Sequence, residues 1–167
     1  ANLAPYSFFN IFNYKPPIVA FSSVGYKDTV RNAQRSGEFV YNLATRALAE
    51  AVNLSSTAAP SDVSEFTLSG LTPRPSVAVQ APAGRESPVN LECKVIQVQA
   101  LRDHQGQALD TWMVLGEVVM VHIDAALLCG PDGSYDTAAA APILRGGGPA
   151  DYFEVTADRR FLMRRPR

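Results

Sequence analysis

The strongest constraint on the fold lies between residues 89 and 123. Val95-Ile96-Gln97-Val98-Gln99 alternates apolar and polar side chains. That is the two-residue period of a strand with one wet face, and the expected strand runs from Val89 to Leu101. A second run, Thr111 to Ile123, is almost entirely apolar, so both of its faces are expected to be covered. Between the two, Asp103-His104-Gln105-Gly106-Gln107 has the composition of a hairpin loop. Two long strands joined by so short a loop pair antiparallel. The chain is therefore organised around one long β-hairpin.

The remaining segments fit a mainly β protein with a few short helices. Ile18-Val19-Ala20-Phe21 follows Pro16-Pro17 and reads as a short buried strand. Asp28 to Ser36 reads as a helix, with Asp28 or Thr29 as N-cap and Gly37 placed to end it. Glu38 to Asn42 follows as a strand. Leu43 to Val52 follows as a helix with Leu48 and Val52 on one face. Asn53 to Asp62 is a loop rich in Ser, Thr, Ala and Pro. Val63 to Leu71 predicts a short helix and turn, Val77 to Val79 a strand, and Pro82 to Pro88 a turn-rich connection. Three glycines at 146 to 148 make a flexible link. Many strands with few helices favour a barrel that closes its own edges.

Composition bounds the function. With 167 residues, 47% apolar and 19% charged, the chain is expected to form one domain over 1–167 with a real core. Fifteen basic and sixteen acidic residues leave a net charge of -1, without the basic excess of a nucleic-acid binder. Arg159, Arg160, Arg164, Arg165 and Arg167 read as a solvated tail. Cys93 and Cys129 read as reduced, buried thiols of a cytoplasmic protein. No metal site is expected from two such cysteines and two histidines, His104 and His122. No stretch approaches the roughly 20 apolar residues of a membrane span, and no signal peptide is visible.

Some residues could carry chemistry. Ser22 and Ser23 follow a buried strand, and Lys27 and Thr29 sit at a helix start. Free backbone N–H groups at a helix N-terminus favour an anion, so this group reads either as a phosphate cradle or as an ordinary cap beside a solvated lysine. Phe8, Phe9 and Phe12 read as packing residues. His122 shares a strand face with Met120 and reads as a structural histidine. Glu117 interrupts an apolar strand and is expected to need a partner, for instance across a dimer interface. Glu92 and Lys94 share strand parity and read as structural.

Several segments, in order, resemble the flavin reductase-like family of FMN-binding split barrels. They are Asn2-Leu3-Ala4-Pro5-Tyr6-Ser7-Phe8-Phe9-Asn10; Phe21-Ser22-Ser23; Lys27-Asp28-Thr29 with Asn32; and Gly37-Glu38-Phe39-Val40 with Asn42. Further on come Glu86-Ser87-Pro88-Val89, Leu91-Glu92-Cys93-Lys94, Gly116-Glu117-Val118-Val119, His122-Ile123-Asp124, and Arg145 with Asp151-Tyr152-Phe153. The resemblance implies a split antiparallel β-barrel, a homodimer, and bound FMN or FAD. It places ring and ribityl contacts at Asn2, Leu3, Ala4, Tyr6 and Ser7. It places phosphate contacts at Ser22, Ser23, Lys27, Thr29 and Asn32, with Tyr152 near the flavin. It implies hydride transfer from NADH or NADPH, which offers His122 a second reading as a nicotinamide contact, and onward delivery to free flavin, a monooxygenase or another acceptor. The alternatives are a flavin-binding electron carrier and a structural dimer, neither with nicotinamide-dependent activity. A strand of the type Pro-Arg-Pro-Ile ending in Ser-Thr precedes Asn-Leu-Ala-Pro in the family, so a further strand is expected before residue 1.

Overall fold

A computed structural model describes residues 1–166; Arg167 of the expected basic tail lies outside the described residues. The elements, in order, are β1 (Phe9–Tyr14), β2 (Pro17–Val24), α1 (Asp28–Ser36), β3 (Glu38–Asn42), α2 (Ala49–Leu54) and α3 (Glu65–Ser69). The short pair β4 (Pro73–Arg74) and β5 (Ala83–Gly84) precedes the long hairpin β6 (Val89–Arg102) and β7 (Ala108–Ile123). Two small hairpins follow: β8 (Leu128–Cys129) with β9 (Ser134–Tyr135), and β10 (Ile143–Arg145) with β11 (Tyr152–Glu154). The main sheet is antiparallel, in the order β1-β2-β7-β6-β3.

The hairpin expected from the sequence is the spine of this sheet. Gly106 turns it with a φ of 84°, a left-handed conformation that glycine adopts without steric cost. The sheet curls until its two edge strands meet through side chains. Phe9 of β1 stacks on Tyr41 of β3, with ring centroids 4.3 Å apart and planes 14° apart. Val30 and Ala33 of α1 are buried in the same core as Val19, Phe21, Phe39, Cys93 and Val114. Phe21 meets Phe39 edge-on at 5.4 Å, an arrangement favoured by the ring quadrupoles. Gly37 ends α1 in the left-handed region, and its N–H bonds Ala33 O at 2.9 Å.

The structure departs from the sequence expectations in several places. Lys27, with no capping side-chain bond, is the N-cap of α1. Asp28 is instead drawn to Arg31 at 2.8 Å, and the Thr29 hydroxyl donates to Asn2 Oδ1 at 3.0 Å. The helix expected from Leu43 starts late, because Leu43 N–H donates to Val89 O and Thr45 bridges Pro142. Its first turn, Arg46–Leu48, is a 3-10 turn. Residues 77–79 form a bend, not a strand. The β2 register ends at Glu117, so the last stretch of β7 has only β6 beside it, and Val119, Val121 and Ile123 are exposed. Glu117 itself is half-buried, opposite Lys94 in register.

Phe8 and Phe12 are 68% and 57% exposed, and only Phe9 of the three packs. Cys129 is exposed, while Cys93 is buried. Burial first, and then the neighbouring Glu92 carboxylate, push the Cys93 thiol up to about 12. Phe161, Leu162 and Met163, between the tail arginines, are 72 to 84% exposed. Among the described residues, no helix is long and apolar enough to cross a membrane.

Gly116 shows how tightly the curl is packed. A Cβ there would lie 2.5 Å from Phe39 Cε1 and 3.1 Å from Cys93 Cβ. Gly116→Ala is therefore expected to destabilise the fold by about 1–3 kcal/mol through overpacking. Urea denaturation should show this as a lower midpoint with an unchanged slope.

Candidate functional site

The curled sheet leaves a cavity of about 850 Å³ at one mouth, within the size range of small-molecule and cofactor sites. Its floor is aromatic, made by Phe9, Phe21, Phe39 and Tyr41. One wall is the opening segment, residues 1–7, which forms no strand. Polar contacts hold that segment. Leu3 N–H donates to Glu65 Oε2 at 3.0 Å, and the Ser64 hydroxyl donates to Ala1 O at 2.6 Å. Tyr6 packs on Phe21 at 4.5 Å.

A second wall is one face of α1. Thr29, Asn32 and Ser36 fall at i, i+3 and i+7, and all three line the cavity together with Arg35. The β10–β11 hairpin adds a further wall, where Arg145 and Tyr152 reach the same space. Arg145 Nη1 donates to Ser7 Oγ at 3.3 Å, joining this hairpin to the opening segment. Leu48 and Val52, expected on one helical face, both line the cavity too. The chain thus brings a flat apolar floor together with a rim of amide, hydroxyl and guanidinium groups. Burial, and secondarily Tyr135, push the Tyr41 phenol up to about 12, so it stays protonated at neutral pH.

The residues singled out in the sequence divide accordingly. Asn2, Leu3, Ala4, Tyr6, Ser7, Thr29, Asn32 and Tyr152 line this cavity. Ser22 lines an adjoining cleft of about 360 Å³ that shares Ser7, Phe9 and Phe21 with it. Ser23 is buried, with its hydroxyl donated to Gly25 O at 3.0 Å. Lys27 is exposed at the start of α1 and lines neither space. His122 also lies away from both spaces and donates from Nε2 to Glu92 Oε1 at 2.6 Å.

The cavity also holds residues outside the sequence-based set: Arg35, Glu38, Tyr41, Gln80 and Arg145. The helical period from Thr29 and Asn32 points toward the face that carries Ser36. Nothing local in the sequence brings Gln80 to the cavity. It belongs to a strap, residues 76–84, that crosses β3 and β6. Glu92 of β6 is 0% exposed and accepts Val77 N–H on Oε1 at 2.8 Å. Its Oε2 accepts Ala78 N–H at 2.6 Å and Val79 N–H at 3.1 Å. Burial pushes the Glu92 carboxyl up, but the three amides and His122 outweigh it and hold it below the ordinary carboxylate value of 4.5. Lys94 is exposed, so the shared parity with Glu92 does not carry the same burial.

Comparison with solved structures places this architecture. Nitrilotriacetate monooxygenase component B from Bacillus cereus superposes with a TM-score of 0.86 at 30% identity, over 97% of this chain and 79% of that one. The Pseudomonas fluorescens 2-nitrobenzoate 2-nitroreductase gives 0.82 at 29% identity, over 98% and 77%. The curled antiparallel sheet with its aromatic-floored cavity is the split barrel of the flavin reductase fold. The sequence profile described as the flavin reductase like domain matches residues 1–138, and the chain belongs to that family. An uncharacterised protein of Halalkalibacterium halodurans is 39% identical over 153 residues, 88% of this chain and 71% of the relative.

The lowered carboxyl of Glu92 makes stability depend on pH. The contribution is present above the ordinary carboxylate value and is lost as pH falls through the lowered native one. The free energy of unfolding is expected to decline in acid below the ordinary value of 4.5. Glu92→Gln should lower stability at neutral pH and flatten that decline, which equilibrium denaturation across a pH series measures.

Proposed function

We propose that the chain binds FMN in this cavity and catalyses hydride transfer from NADH or NADPH to the flavin. Electrons would then pass to free flavin or to a monooxygenase partner. One observation carries the reading: the opening segment, α1 and the β10–β11 hairpin converge on a single aromatic-floored cavity in a chain of the flavin reductase-like family. The names of the two structural neighbours, a monooxygenase component and a nitroreductase, support redox chemistry with a partner or an organic acceptor. FAD is the alternative flavin.

The residues present suit a flat, amphipathic ring on an anionic tail. Phe9, Phe21 and Tyr41 offer the apolar wall, and backbone and side-chain polar groups of Asn2 to Ser7 border it. Thr29, Asn32 and Arg35 form a polar wall on α1 and are assigned the phosphate end, whereas Ser22 lines the adjoining cleft and Lys27 lines neither space. Arg145 and Tyr152 of the β10–β11 hairpin complete the lining. A bound flavin supplies the hydride-accepting centre. The protein's share is to bind, orient and exclude water, so no acid–base pair is required. The exposed Val121, Phe161, Leu162 and Met163 leave apolar surface for a second copy to cover, in line with a homodimer.

The purified protein is expected to oxidise NADH or NADPH only when FMN or FAD is added, followed by loss of the reduced-nicotinamide absorbance. Asn32→Ala with Arg35→Ala should raise the KM for FMN by about tenfold with little change in kcat, the pattern of lost uniform binding. If neither nicotinamide is consumed with either flavin, the reductase reading fails. FMN retained without such consumption would favour the electron carrier.

A further inference from the structure

Four successive amides of the strap are held by two carboxylates. Glu92 takes those of Val77, Ala78 and Val79, and Glu38 Oε2 takes that of Gln80 at 2.7 Å. The far end is tied separately, by Gly84 N–H donating to Asn42 Oδ1 at 2.8 Å. Gln80, Ala81 and Pro82, the stretch between the two anchors, line the cavity. Glu92 does not line it. A fully buried carboxylate is therefore spent on fixing the entry point of a cavity wall. Sealed away from water, it has no solvent to replace a lost donor. His122 donates to Oε1 beside the Val77 amide, which orients the carboxylate from the β7 side.

We propose that Glu92 is a positioning residue for flavin binding, acting through the strap to set the wall formed by Gln80, Ala81 and Pro82. This rests on the flavin reading of the cavity given above. The strap has no helix or strand of its own between residues 75 and 82, so its conformation follows its anchors. Releasing the Glu92 anchor leaves a mobile wall, which a ligand must order on binding at a cost in affinity. The chemistry, carried out away from Glu92, is left intact. The signature is a flavin affinity that falls while turnover at saturating flavin does not.

The test compares wild type, Glu92→Gln and Val77→Pro in the full chain. Val77 is 72% exposed, so Val77→Pro removes one strap donor without touching the core and serves if Glu92→Gln fails to fold. Three quantities are read: the FMN dissociation constant by fluorescence quenching, kcat at saturating FMN, and amide exchange at residues 78–80, which every variant retains. Wild type is expected to bind FMN and to protect these amides. The folded variants should exchange them faster, bind FMN about tenfold or more weakly, as loss of a buried hydrogen-bonded anchor implies, and keep kcat within about twofold. Glu92→Asp should recover part of the affinity. Unchanged FMN affinity in a folded variant whose strap amides exchange faster overturns the inference. So does a loss of kcat at unchanged affinity. Failure of wild type itself to bind FMN overturns the cavity reading, and this inference with it.

Discussion

Phe39 lies in the space that a side chain at Gly116 would fill, and the rest of the molecule depends on that contact. It brings β3 and α1 down onto the middle of the sheet. It sets Phe39 edge-on to Phe21, which in turn carries Tyr6 of the opening segment. With β3 drawn in, Tyr41 reaches Phe9 across the open side, and the flat sheet becomes a curled one. The cavity is what this curl leaves at its mouth. Its aromatic floor is therefore continuous with the core, and rigid for the same reason the core is.

The walls are built differently from the floor. They are loops and a helix face tied by individual polar contacts: Thr29 to Asn2, Leu3 to Glu65, Arg145 to Ser7, and the strap amides to Glu92 and Glu38. Each tie joins segments far apart in the chain. A rigid apolar floor with separately fastened polar walls suits a ligand with a flat ring and a charged tail. It also separates substitutions that disturb folding, such as those at Gly116, from those that tune binding, such as those along the strap.

Much of the fold was legible in the sequence because its period is local. The β6–β7 hairpin, α1 with its Gly37 stop and the buried strand at Ile18–Phe21 all follow from short patterns. The opening segment, Thr29, Asn32 and Tyr152 were legible through ordered motifs, and they do meet. What was not legible is set by register and by distant partners. The bulge on β7 at Val119, between the Glu92 and Cys93 pairings, and the end of the β2 register expose a strand that composition alone reads as covered. Val77–Val79 has the side chains of a strand, but its amides turn to a carboxylate on β6. Ser23 is polar and well placed in sequence, yet its hydroxyl is taken by Gly25.

The proposed ligand of the aromatic-floored cavity is a flavin held by its ring and by its phosphate. Parallel titrations of the purified chain with FMN and with riboflavin, followed by quenching of flavin fluorescence, test it most directly. Saturable one-site binding is expected, tighter for FMN than for riboflavin if Arg35 and the polar face of α1 are the proposed phosphate end. Unquenched fluorescence of both flavins at every protein concentration would contradict it.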